Sequence, residues 1–248
     1  NKLLIATGAS ARKLTCTGGE HALVLRNLDE ALAFCCLLAP GKHLILIGAG
    51  FIGLELAASA RKVDCKVTVL EMAQRILGRA VPPEVAEVVA SEHKRQGVEI
   101  RCDIELDQIQ ASKSGYTIEL KNGESISGDL VVAGIGAVPE VALAEAAGLD
   151  IENGVSVNAF LQTSDPDIYA VGDCCSFPHP LYEQQRMRLE MWRCARDQAE
   201  CAVQNLLGET KEFSAIPWFW SDQFELSLQV AGLPSFAKRV IPRTRPDG

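Results

Sequence analysis

Leu44-Ile45-Leu46-Ile47-Gly48-Ala49-Gly50-Phe51-Ile52-Gly53 decides the fold of this chain. Four consecutive large apolar residues suit a strand buried on both faces, as in a parallel sheet. The glycines after them fall in the pattern G-x-G-x-x-G. Gly48 permits a tight strand-to-helix turn, Gly50 lets backbone approach a phosphate, and Gly53 lets the helix pack close to the strand. A helix over 51–62 and a second strand over 66–70 are expected, the strand leading into Glu71. The glycine pattern alone also fits a plain tight turn. With strand, helix and acid in order it reads as a site for a dinucleotide pyrophosphate on a helix N-terminus. Gly48, Gly50, Phe51, Ile52 and Gly53 are its binding candidates.

Glu71 lies 23 residues after Gly48. A carboxylate there accepts the ribose hydroxyls of NAD and repels a 2′-phosphate, which predicts NADH over NADPH. A solvated strand-end acid is the plainer reading, and Arg75 and Arg79 weigh the other way, because arginine accommodates a phosphate. Glu55 is placed in the first turn of the helix, where the dipole favours a carboxylate. Its sharper reading is a residue bordering the nicotinamide and positioning the reacting ring.

Outward from this unit, the chain opens with a strand over 1–8 ending in Ala6-Thr7-Gly8, then a loop over 9–27. Asn27 caps a helix over 28–38, closed by Pro40-Gly41. Another helix runs from Pro82 to Gln96 and stops at Gly97. Strands are expected over 98–102, 107–111, 116–120, 125–127 and 130–135, with Asn122-Gly123 as a hairpin turn. A short helix over 141–147, strands over 155–160 and 168–172, and a helix over 190–207 follow. That last helix is expected to bury Ala195, Ala199, Ala202, Val203 and Leu206. From 217 to 231 the residues alternate, with Phe224, Leu226, Leu228 and Val230 on one strand face.

Composition narrows the function classes. The chain has 248 residues, 48% hydrophobic and 23% charged, with net charge −8. That balance argues against general nucleic-acid binding. No apolar run reaches the ~18 residues of a membrane span, and no secretory signal opens the chain. Nine cysteines include the pairs Cys35-Cys36 and Cys174-Cys175, but no C-x-x-C. Neither zinc nor a thioredoxin-type couple is indicated, and a reducing cytoplasm is expected. The first residue is Asn, inside an apolar run, so a fragment of a longer protein is expected.

Further strand ends carry small or acidic residues. Thr7-Gly8 and Gly134-Ile135-Gly136 let a ligand or a crossing backbone pass close. Asp173, after Gly172, suits either polyol hydroxyls or an N-cap. Trp192 suits core or a stacking wall, while Phe219 and Trp220 are expected to pack in the core.

Together, Lys2–Ala9, Gly48–Glu55 with Val67–Glu71, Thr163–Asp173, Arg188-Leu189-Glu190 with Trp192, and Pro217–Gln223 with Gln229–Gly232 resemble the FAD-containing, NADH-dependent ferredoxin reductases. These form the rubredoxin-, putidaredoxin- and dioxygenase-ferredoxin-reductase group of the pyridine nucleotide-disulfide oxidoreductase superfamily. Trp218-Phe219-Trp220-Ser221-Asp222-Gln223 is the most specific piece. The resemblance implies an α/β fold of two Rossmann-like dinucleotide-binding domains, the FAD domain partial, plus the start of an α+β C-terminal domain. Residues 1–14 and 138–210 would belong to the FAD domain, 15–137 to the NADH domain and 211–248 to the C-terminal domain. The FAD domain's own glycine motif and the last domain's tail would lie outside this chain.

From their placement alone, Glu55 is the catalytic candidate and Thr7, Gly8 and Gly136 are candidates to line cofactor. By the resemblance, Glu71 and Arg79 surround the NAD adenosine. Asp173 holds the FAD ribityl chain, the helix start at Glu190 faces the flavin pyrimidine, and Trp192 and Trp218 stand close to the flavin. The implied activity passes a hydride from NADH to FAD and then single electrons to a ferredoxin or rubredoxin, feeding an oxygenase. An NADH oxidase, a monodehydroascorbate reductase or an apoptosis-inducing-factor-like flavoprotein is the alternative. Arg186, Arg188, Arg193 and Arg196 form a candidate dock for an acidic iron–sulfur partner, or are ordinary surface arginines. Three positions depart from the family pattern: Asp64 where Gly is usual, Glu140 for Asn, and Cys194 for an Asn-like residue.

Overall fold

A computed structural model of the chain describes residues 1–78 and 80–243. Its contacts divide the chain into two units. The smaller holds residues 1–10, 137–220 and 229–233. The larger holds the described residues of 11–136, 221–228 and 234–243. Strands β1 (Leu3–Ile5) and β2 (Ala9–Ala11) open the chain, so the first strand is shorter than expected and part of the expected loop is extended.

The larger unit starts with α1 (Leu28–Leu37). Asn27 and Glu30 form a capping box: Glu30 N donates to Asn27 Oδ1 at 2.9 Å, and Asn27 N donates to Glu30 Oε2 at 3.2 Å. Both satisfy amides that the first helical turn leaves unpaired. Then come β3 (His43–Ile47), α2 (Phe51–Lys62), β4 (Lys66–Leu70), α3 (Pro83–Arg95) and β5 (Val98–Arg101). An antiparallel meander follows as β6 (Leu106–Ser112), β7 (Gly115–Leu120) and β8 (Ser125–Gly128), before β9 (Leu130–Ala133) returns to the first sheet. That sheet has the order β5-β4-β3-β9, all parallel, and Leu23 bridges Val132 beyond β9.

The apolar run of β3 is explained by burial on both faces. Ile45 and Ile47 join a core with Ile109, Ile118 and Leu120 of the meander. Leu44 and Leu46 point to the opposite face by strand alternation and are equally buried.

The chain continues with β10 (Ala137–Pro139), which pairs with β2, then α4 (Ala142–Ala146), β11 (Val155–Ser156) and β12 (Ile168–Ala170). Strand β12 runs parallel to β1. Besides β2 and β10, strands β13 (Cys175–His179) and β14 (Gln185–Met187) escape the sequence reading. Pro178 inside β13 disguises it, because proline withholds an amide from a ladder. Helix α5 (Trp192–Leu206) begins two residues later than expected, with Met191 as N-cap. Its buried stripe is Cys194, Gln198, Cys201, Ala202 and Asn205, while Val203 is exposed. The two buried amides set this register by serving backbone. Gln198 Oε1 accepts from Gly172 N at 2.7 Å, and Asn205 Nδ2 donates to the carbonyls of Phe160 and Lys211 at 2.9 and 2.8 Å.

Strands β15 (Trp218–Gln223) and β16 (Leu226–Ala231) form a hairpin. Phe224 has φ 56° and sits in its turn, so it does not share a strand face with Leu226, Leu228 and Val230. Residues 211–220 and 229–233 fall in the smaller unit and 221–228 in the larger.

Helix α2 ends in a Schellman motif. Asp64 N donates to Arg61 O at 3.0 Å and Cys65 N to Ala60 O at 3.1 Å. Asp64 therefore takes the left-handed conformation, φ 59°. A β-carbon and a negative charge both disfavour that position. Asp64→Gly is expected to stabilise the protein by about 0.5–1 kcal/mol, read as a rise in the urea midpoint at unchanged slope.

Candidate functional site

The turn between β3 and α2 is shaped by close backbone approach. Gly48 has φ 100°, and a β-carbon there would lie 2.5 Å from Gly134 O. One at Gly53 would lie 2.3 Å from Gly48 O. A β-carbon at Gly50 would meet nothing within 4 Å, so this side of the turn is open. No side chain caps α2, whose N-cap is Gly50 itself. An uncapped helix N-terminus beside an open glycine turn suits an anion such as a pyrophosphate. Phe51 is half-buried and Ile52 is 49% exposed.

Glu71, half-buried at the end of β4, reaches this turn. Its Oε2 accepts from Ala49 N at 2.7 Å and its Oε1 from Ala73 N at 2.8 Å. Each oxygen keeps a further lone pair for a hydroxyl donor. Arg75 is committed to its own loop, donating to the carbonyls of Gly78 and Val81 at 2.8 and 3.1 Å. Arg79 lies outside the described residues. Gly136 is exposed, has φ 101° and accepts from Arg12 N at 2.9 Å.

Glu55 is not in the first turn of α2, which holds no acid; it is the fifth residue, one turn on. The half-buried carboxylate accepts from Ser221 Oγ at 2.5 Å. Burial pushes its pKa up, the hydroxyl opposes this, and the charge of Asp222 adds to the rise. Ser221 accepts from Gln223 Nε2 at 2.9 Å, and Gln223 Oε1 lies 2.8 Å from His93 Nε2. The sequence reading gives Ser221, Gln223 and His93 no role. The only signal lay in the specificity of the Trp218–Gln223 run.

In the smaller unit, Thr7 Oγ1 donates to Glu140 O at 2.5 Å, and Glu140 N returns a bond to Gly8 O at 2.9 Å. Asp173 sits in a tight turn over Gly172–Cys174. Glu190 lies outside α5 and pairs with Arg188 at 2.6 Å. Helix α5 has no side-chain cap. Trp192 is 68% exposed, so it is not core. The Arg193 guanidinium stands 5.3 Å over the half-buried ring of Trp218. Trp220 is 47% exposed, against the expectation of core packing, and Phe219 is half-buried.

Arg186, Arg188, Arg193 and Arg196 do not gather as a free basic patch. They face Glu152, Glu190, Asp197 and Glu200 at 3.2, 2.6, 3.6 and 3.0 Å. All nine cysteines are free. Burial raises the thiol of Cys194 to about 12 and that of Cys175 well above the usual range, so both stay protonated. Among the described residues, no helix is long and apolar enough to cross a membrane.

A glycine turn on a helix N-terminus, with an acid on the adjacent strand, defines a dinucleotide-binding α/β protein. The chain belongs to the pyridine nucleotide-disulphide oxidoreductase family, whose model matches residues 1–199. A reductase C-terminal model matches residues 218–248. Putidaredoxin reductase CamA of Pseudomonas putida is 38% identical, over 98% of this chain and 59% of that protein. Rubredoxin-NAD(+) reductase of Pseudomonas putida is 37% identical, over 97% of this chain and 63% of that protein. Among solved structures, the ferredoxin reductase for the CYP199A2 system of Rhodopseudomonas palustris superimposes with a TM-score of 0.94 at 38% identity, covering 98% of this chain and 61% of that one. The chain thus spans about three fifths of the length of these relatives.

His93 is fully buried and its pKa is lowered, chiefly by burial, against the pull of Gln223 and Glu92. The folded state therefore binds fewer protons than the unfolded one just below pH 6.5. Stability is expected to fall as pH drops through that range, by at most about 1.4 kcal/mol per pH unit from this group. His93→Phe is expected to flatten that slope, measured by urea unfolding at a series of pH values.

Proposed function

We propose that this chain carries the NADH-binding portion and part of the flavin-binding portion of an NADH-dependent flavoprotein reductase. The reductase passes electrons to an iron–sulfur carrier of the ferredoxin or rubredoxin type, which feeds an oxygenase. The carrying observation is the uncapped start of α2 behind an open glycine turn, with the Glu71 carboxylate bonded to Ala49 N. The names of the relatives above point to the same chemistry for those proteins.

In this reading residues 15–137 hold NADH, 1–14 and 138–210 hold part of FAD, and the chain from 211 begins the C-terminal domain. Amides at Gly50, Phe51 and Ile52 bind the pyrophosphate, while Gly48 and Gly53 keep the turn tight. Glu71 accepts the adenosine ribose hydroxyls and repels a 2′-phosphate, with Gly136 also lining the dinucleotide. Glu55 orients the nicotinamide end.

FAD, when bound, supplies a two-electron acceptor for the NADH hydride that can release electrons singly. Thr7, Gly8 and Asp173 bind its polar chain. The α5 N-terminus, entered through Glu190, favours negative charge on its ring. Trp192 and Trp218 offer aromatic faces for stacking. The cytoplasm is the compartment this chemistry fits.

Calorimetric titration tests the reading. NADH is expected to bind more tightly than NADPH, and Glu71→Ala is expected to cost NADH about tenfold in Kd, near 1.4 kcal/mol, while sparing NADPH. Tighter binding of NADPH, unaltered by that change, would overturn the assignment. Flavin-loaded protein is expected to reduce an iron–sulfur carrier with NADH. Rapid aerobic NADH consumption without a carrier would instead identify an oxidase.

A further inference from the structure

The larger unit holds a line of four side chains that extends the dinucleotide reading. His93, fully buried near the end of α3, stands 2.8 Å by Nε2 from Gln223 Oε1. Gln223 Nε2 donates to Ser221 Oγ at 2.9 Å, and Ser221 donates to Glu55 Oε1 at 2.5 Å. Its direction follows from donor counts. Serine has one hydroxyl hydrogen and spends it on the carboxylate, so it accepts from the amide of Gln223. That amide then turns its oxygen to His93, which must carry its proton on Nε2.

The cost of this arrangement falls at the far end. His93 Nδ1 is left a bare acceptor, buried without a hydrogen-bond partner. An orphaned buried polar atom is unfavourable, so something else fixes the tautomer, and the bond to Gln223 does so. The imidazole is also wedged against Phe224, with ring centroids 4.9 Å apart. At the near end, Glu55 is a flexible side chain that would otherwise sample several rotamers. Anchoring one oxygen spends that entropy before a ligand arrives.

We propose that Ser221, Gln223 and His93 are positioning residues for Glu55, holding its free oxygen toward the nicotinamide end of the dinucleotide. This rests on the NADH reading above and adds three residues to it. A line that merely ties the hairpin tip to the helices would affect every ligand of the site alike. A positioning line acts on the nicotinamide half only.

The full chain is titrated with NADH and with ADP-ribose, which shares the pyrophosphate and adenosine but lacks nicotinamide. Ser221→Ala is expected to raise the Kd for NADH about three- to tenfold and to leave ADP-ribose within about twofold. Ser221→Thr, which keeps the hydroxyl, is expected to recover most of the loss. His93→Phe is expected to act in the same direction and less. Should Ser221→Ala not fold, Ser221→Cys keeps the volume, weakens the donor and carries the same expectation. Equal losses for both ligands, or none for either, would overturn the proposal. If the wild-type chain binds neither ligand, the dinucleotide reading itself falls. Nitrogen-15 imidazole spectra still decide the line in that case: the neutral Nε2–H tautomer of His93 supports it, and Nδ1–H overturns it.

Discussion

The constraint on which the rest depends is the absence of side chains where β3 turns into α2. Carbonyl oxygens of Gly134 and Gly48 occupy the space that β-carbons at Gly48 and Gly53 would need. Because nothing intervenes, the helix begins directly at the carboxyl end of the central strand. That placement lets Glu71, one strand over, reach Ala49 N, and lets Leu77 N reach Ala49 O at 3.0 Å. A single methyl group at either glycine would push the helix start away from both neighbours. The electrostatics of the turn are thus a consequence of close packing, with the helix dipole aimed by the strand beneath it.

A second layer of order comes from buried polar side chains that serve backbone or one another. Gln198 and Asn205 decide which face of α5 is covered, although alanines were available for that face. The His93–Gln223–Ser221–Glu55 line does similar work in the larger unit. Such groups are satisfied only in one arrangement, so they select a geometry more than they add stability.

Much of this was legible in the chain. Helix α2 is read to its residue limits, its start being a glycine turn. Strands β3, β4 and β5 follow from apolar runs separated by helix-length segments, and β9 from the apolar run after the β-rich insert. The losses have physical causes. Pro178 masks β13, and the left-handed Phe224 passes for a strand residue because its apolar ring fits the alternation. The register of α5 went astray because hydrophobicity alone cannot rank a buried amide above an alanine. Ser221 and Gln223 gained a role only through partners 166 and 130 residues away, a separation no local pattern encodes.

The strand order also sets an order of assembly. Strands β3, β4 and β5 are neighbours in both sequence and space, but the other edge of β3 waits for β9. Closure there is marked by the bond from His43 N to an Asp129 carboxylate 86 residues on, at 2.7 Å. Closing so long a loop is slow relative to forming the local βαβ units. Until then the apolar β3 presents an open row of amides and carbonyls, the kind of edge that recruits other chains. The meander covers Ile45 and Ile47 on one face of β3, but the edge itself is closed only where β9 pairs with it.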